Sequence, residues 1–130
     1  MNRVKILAMA IAIASILVAS PIAMQSVFAG ACTSGTSGND NFAGGDGSQC
    51  FDGKAGNDRI AMGDGNDTAI PGDGRDKVAM GDGDDTVFVY NDGDVDIIIC
   101  GKEANDTING EYDPKDKVRG CENDNRSGLP

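Results

Sequence analysis

A motif of nine residues recurs six times without interruption, and it restricts the possible folds more than any other feature of the chain. From Gly35 the sequence reads G-T-S-G-N-D-N-F-A, G-G-D-G-S-Q-C-F-D, G-K-A-G-N-D-R-I-A, M-G-D-G-N-D-T-A-I, P-G-D-G-R-D-K-V-A and M-G-D-G-D-D-T-V-F, ending at Phe88. Position four is always glycine (Gly38, Gly47, Gly56, Gly65, Gly74, Gly83). Position six is Asp40, Asp58, Asp67, Asp76 or Asp85, with Gln49 in the second copy, and position eight is apolar throughout (Phe42, Phe51, Ile60, Ala69, Val78, Val87). A longer period lies above this one, since Ala61-Met62-Gly63-Asp64-Gly65 returns eighteen residues on as Ala79-Met80-Gly81-Asp82-Gly83. Two nines therefore make one coil of a stack. Each half-coil is a glycine-rich turn, where positive φ and close backbone approach are easy, followed by a short strand whose single inward side chain is residue eight. The expected fold is all-β, a parallel β-roll or β-solenoid whose strands stack at about 4.8 Å per coil.

Stacking by eighteen residues places Asp40, Asp58 and Asp76 along one edge and Gln49, Asp67 and Asp85 along the other. Carboxylates about 5 Å apart along a column repel unless something between them carries positive charge. A hard divalent cation, which takes six to eight oxygens from carboxylates and backbone carbonyls, suits such an edge, and glycine turns offer the carbonyls. Position three is also acidic in four copies (Asp46, Asp64, Asp73, Asp82), either as a second carboxylate for the same turn or as a solvated surface acid.

These six copies resemble the hemolysin-type, or RTX, calcium-binding nonapeptide G-G-x-G-x-D-x-U-x. The departures are Met62, Pro71 and Met80 at position one, Thr36 and Lys54 at position two, and Gln49 at position six. The resemblance implies a Ca2+-binding β-roll with ligands from Asp40, Asp58, Asp67, Asp76 and Asp85, from Asp64, Asp73 and Asp82, and from the turns at Gly38, Gly56, Gly65, Gly74 and Gly83. Asp94, nine residues after Asp85, extends the first edge in this reading. Ions are expected between Asp40 and Asp58, Asp58 and Asp76, Asp76 and Asp94, and Asp67 and Asp85, with the Gln49 to Asp67 gap weakest. A core this thin in apolar residues cannot offset the ordering entropy of so many glycines, so calcium binding and folding are expected to be coupled.

The first 29 residues carry two basic groups, Arg3 and Lys5, and an aliphatic run from Ile6 to Ala19, the pattern of a secretory signal peptide with cleavage after Ala29. The alternative is a retained N-terminal membrane anchor. Of the eleven basic residues only those two lie there, and none of the twenty-one acids, so removal of the segment changes the net charge from −10 to −12. Such a charge opposes nucleic acid and anionic lipid as partners. Calcium ions are the expected partners, together with an unidentified cell-surface or matrix partner. The exported chain has no stable membrane span in this reading. Four cysteines fit an oxidising compartment. Cys32 and Cys50 are one coil apart and are expected to bridge neighbouring strands, and Cys100 is paired with Cys121 on similar grounds.

Beyond Phe88 the period loosens, with Asp94 or Asp96, Asp106 and Asp116 recurring at intervals of about ten. Residues 30–122 are read as the β-roll with an irregular, disulfide-linked C-terminal cap, and 123–130 as a polar flexible tail. Asp92, Asp94, Asp96 and Glu103 match places one, three, five and twelve of an EF-hand loop, but Ile97 stands where that loop needs glycine. The chain has no histidine, which removes histidine-based nucleophilic catalysis and His-ligated zinc, and no enzymatic activity is expected. Two functions remain in view: a secreted calcium-binding β-roll that folds on its ions, and a cell-surface adhesion module in which calcium only rigidifies a binding face.

Overall fold

A computed structural model describes residues 31–101 and 105–130, and the expected signal segment lies outside them. The described residues form eleven strands and no helix. The odd strands are β1 (Thr33–Ser34), β3 (Cys50–Asp52), β5 (Thr68–Ile70), β7 (Thr86–Val89), β9 (Thr107–Glu111) and β11 (Asn123–Ser127). Between them run β2 (Asn41–Ala43), β4 (Arg59–Asp64), β6 (Lys77–Asp82), β8 (Ile97–Gly101) and β10 (Lys117–Arg119). Odd strands build a six-stranded sheet and even strands a five-stranded one, each in sequence order. Every pairing is parallel, so the chain alternates between two sheets and climbs one strand per coil, the β-solenoid that the repeat implies.

The eighteen-residue period is the pairing register: Asn41 lies opposite Arg59, Arg59 opposite Lys77, and Cys50 opposite Thr68. Later coils change length, with Lys77 opposite Ile97, Thr86 opposite Thr107 and Thr107 opposite Asn123. The turns stack as well. Gly65 N–H donates to the Asp82 carbonyl at 2.8 Å, and Gly83 shows why glycine is needed there. Its φ is +129°, and a Cβ on it would stand 2.1 Å from the Gly65 carbonyl oxygen of the preceding coil. No other residue tolerates both conditions.

All six position-eight residues are buried, and Phe42 stacks on Phe51 with ring centroids 4.4 Å apart. Ile98 and Ile108 continue the two columns. The expectation of one inward side chain per strand is corrected: Met62 and Met80 are fully buried beside Val89 and Cys100. Strands β4 and β6 are six residues long, so alternation turns residues 62 and 80 inward after residues 60 and 78. Position-one methionines are thus core, and just beyond them Gly63 and Gly81 take positive φ within the same strands.

Both disulfides join neighbouring coils as the cysteine spacing suggests, Cys32 to Cys50 and Cys100 to Cys121. The C-terminal segment differs from expectation. Asn123–Ser127 is strand β11, paired along its length with β9 rather than free. The buried Arg126 fastens it, binding the Asp124 carboxylate and lying 5.0 Å from the centre of the Tyr112 ring.

Candidate metal centre

Position six builds two internal ladders of carboxylates. On the edge before the five-stranded sheet, Asp40 N–H donates to Asp58 Oδ1 at 2.8 Å, Asp58 N–H to Asp76 at 2.7 Å, Asp76 N–H to Asp96 at 2.8 Å, and Asp96 N–H to Asp116 at 3.0 Å. On the opposite edge Gln49 N–H donates to Asp67 at 2.7 Å, Asp67 to Asp85 at 2.8 Å, Asp85 to Asp106 at 3.0 Å, and Asp106 to Glu122 Oε2 at 2.9 Å. Each rung couples the backbone of one coil to the side chain of the next. One carboxylate oxygen per residue is used in this way.

The second oxygen is not. Oδ2 of Asp58, Asp67, Asp76, Asp85, Asp106 and Asp116 is buried without a hydrogen-bond donor, as is Oε1 of Gln49. An unmatched buried polar atom carries a penalty of about 1–3 kcal/mol, more when it is charged, so six such carboxylates in one small protein need a compensating group. Around Asp58 and Asp106 the geometry is oxygen-rich: the point where a Cβ on Gly101 would lie is 3.2 Å from Asp106 Oδ2 and 2.3 Å from the Gly81 carbonyl oxygen. The point where a Cβ on Gly53 would lie is 2.4 Å from Asp58 Oδ2 and 2.2 Å from the Pro71 carbonyl oxygen of the next coil. The corresponding point at Gly44 is 2.4 Å from Gln49 Oε1 and 2.0 Å from the Met62 carbonyl oxygen, and at Gly35 it is 2.6 Å from Asp40 Oδ2 and 2.7 Å from the Gly53 carbonyl oxygen. Glycine at position one lets a ladder oxygen and a carbonyl from the coil below approach the same spot.

Electrostatics follows from burial. Loss of solvent pushes the Asp76 and Asp96 carboxyls up to about 7 and Asp85 to about 6. Their backbone donors oppose this rise, and neighbouring acids add to it: Asp58, Asp92 and Asp73 around Asp76, and Asp67, Asp106 and Asp84 around Asp85. Asp58, Asp67, Asp106 and Asp116 shift upward for the same leading reason.

The expected site residues fall into three groups. Asp58, Asp67, Asp76 and Asp85 are consecutive rungs, and Asp40 heads its ladder, with Oδ2 held by Thr36 N–H at 2.7 Å. Gly56, Gly65, Gly74 and Gly83 adopt positive φ in stacked turns, whereas Gly38 sits in an exposed first turn outside that set. Asp64, Asp73 and Asp82, like Asp46, expose their side chains, because position three lies on the outside of the turn; it is their carbonyls that accept from the glycines above. Asp94 is corrected. It is exposed and donates its N–H to Asp92 Oδ1, while Asp96 occupies the rung, since the coil after Asp76 is twenty residues long. The sequence reading assigned no ligand role to Asp96, Asp106 or Asp116, although all three stand before apolar strand residues as the earlier rungs do. No group of three or more acidic or cysteine side chains converges on one point among the described residues.

Compared with known proteins, the chain matches no protein family model, no curated protein and no solved structure.

Proposed function

We propose that this protein is a non-catalytic, calcium-binding β-solenoid of the RTX type that works outside the cytosol and completes its fold by taking up Ca2+ along its two acid ladders. The observation that carries the reading is the set of buried, donor-free Oδ2 atoms repeated from coil to coil. Hard oxygens in a carbonyl-rich setting match the ligand preference of calcium, and the residues fit: Asp58, Asp67, Asp76, Asp85, Asp96, Asp106 and Asp116 would supply one carboxylate per half-coil, with turn and strand carbonyls beside them. A bound divalent cation supplies the positive charge that the stacked carboxylates lack. Two disulfides suit an oxidising compartment, and a chain without histidine has no imidazole to serve as a general base.

The test is far-UV circular dichroism in chelator and in millimolar calcium, together with native mass spectrometry of the calcium-loaded chain. Strand content that rises with calcium, and several retained Ca2+ ions, are the expected results. Identical spectra in both conditions and no retained ions would sink the proposal.

A further inference from the structure

Two ion pairs occur among the described residues, Lys54 with Asp52 and Arg126 with Asp124, and both lie on the side of the six-stranded sheet. Of the described cations without such a partner, Arg59, Lys77, Lys117 and Arg119 lie on the other sheet, and Arg75 and Lys115 lie in turns. The first and third residues of β2, β4, β6, β8 and β10 face away from the core and include Arg59, Lys77, Lys117 and Arg119 but no acid. In a chain of net charge −10 this is a marked segregation. Arg59 and Lys77 are register partners on adjacent strands, so their backbones are one strand spacing apart, and Lys117 follows two strands on, beyond Ile97. Beside this row runs a second of short side chains, including the exposed Ala61 and Ala79. A groove of about 480 Å³ lies over the two rows and ends at the half-exposed Ile99.

We propose that this outer face docks an extended anionic polysaccharide carrying about one carboxylate per sugar ring, laid along the stack axis over the alanine row with its charges toward Arg59, Lys77 and Lys117. Charge complementarity selects an anion, and the row selects its form: Arg59 and Lys77 are one strand spacing apart, about 4.8 Å, and Lys117 lies two further spacings on, past Ile97, intervals that a linear polymer with regularly repeated acids can meet. Duplex DNA, with a charge every ~1.7 Å, is far denser in charge than a row whose cations stand one strand spacing or more apart, and the outward residues include no aromatic on which unpaired bases could stack. A membrane-seeking face would present a belt of bulky apolar groups, and here Ile99 stands without aromatic companions. The proposal needs the folded stack, whose strand pairings place the row, and not any particular ion at the ladders.

The experiment is titration calorimetry of the full chain with a galacturonate octamer at low ionic strength, with an uncharged galactose octamer as control. Binding of the acidic octamer alone is expected, weakening as salt rises. The double variant R59Q/K77Q should lose at least tenfold in affinity while keeping the wild-type circular dichroism, K54Q should bind as wild type does, and R59K/K77R should recover most of the affinity. Salt dependence of the wild-type chain gives a reading that needs no variant to fold. Equal affinity of R59Q/K77Q, no binding of the acidic octamer, tighter binding to phosphatidylserine vesicles or duplex DNA, or a dimer abolished by R59Q/K77Q would each overturn the proposal.

Discussion

Asp76 shows what a single rung does. Its Oδ1 holds the N–H of Asp58, while its Oδ2 is buried with no donor. Changing Asp76→Asn keeps the acceptor and removes the charge, so the variant should be more stable than wild type in chelator, by about 1 kcal/mol or more, and should bind fewer calcium ions by native mass spectrometry. Asp76→Ala removes the acceptor too and leaves the Asp58 N–H unpaired, which should cost about 1–3 kcal/mol in a urea melt. The heads of the ladders follow the same logic. Thr36 N–H holds Asp40 Oδ2 at the first, and a neutral amide, Gln49, stands at the second. Position six was legible because side chains repeating at nine must repeat in space, but the unequal oxygens of each carboxylate were not, since which oxygen meets a donor depends on coil height. The role of Met62 was hidden for another reason. Against a glycine consensus it reads as a defect, yet apolar residues at position one in three successive copies were a sign of a second inward column.

Strands here are too short to hold alone, and each depends on its neighbours in the stack. Met80→Ala, which empties a fully buried site shared by β6 and the coils around it, should cost about 2–5 kcal/mol in denaturant melts. The Cys100 to Cys121 bridge closes a loop with a sequence separation of 21, and loops of that size are worth about 3 kcal/mol, so C100S/C121S should lose stability on that order. Strand β11 makes a sharper test of the revised boundary. Deleting residues 123–130 would strip the covering strand from β9 and remove Arg126 from Tyr112. A clear fall in melting temperature is expected, where a free tail would leave it unchanged. Elements two to seven were legible from the period. The last coils were not, because changes of coil length in both directions give register offsets of twenty, twenty-one and sixteen residues, and a shift of two places moves Asp96 into the rung that a strict nine assigns to Asp94.

For the molecule as a whole, pH and calcium act on the same oxygens. In the fold Asp76 and Asp96 titrate at about 7 and Asp85 at about 6, against about 4 in an unfolded chain. Between those values the folded form holds more protons than the unfolded one, so metal-free stability falls as pH rises from about 4 to 7. Chelated protein should therefore gain strand signal on acidification toward pH 4 to 5 and lose it above pH 7. Calcium should flatten that profile, and its affinity should weaken as pH is lowered through the same window, which calorimetry at pH 7.5 and 5.5 would read. The middle of the stack has a further property. Strands β4 and β5 meet the coil below at the same eighteen-residue offset with which they meet the coil above. They form an interchangeable cassette, bounded at one end by the Thr36 cap and at the other by the Arg126 lid. Duplicating that cassette in a gene would lengthen the rod by about 4.8 Å while the Thr36 and Arg126 contacts stayed as they are.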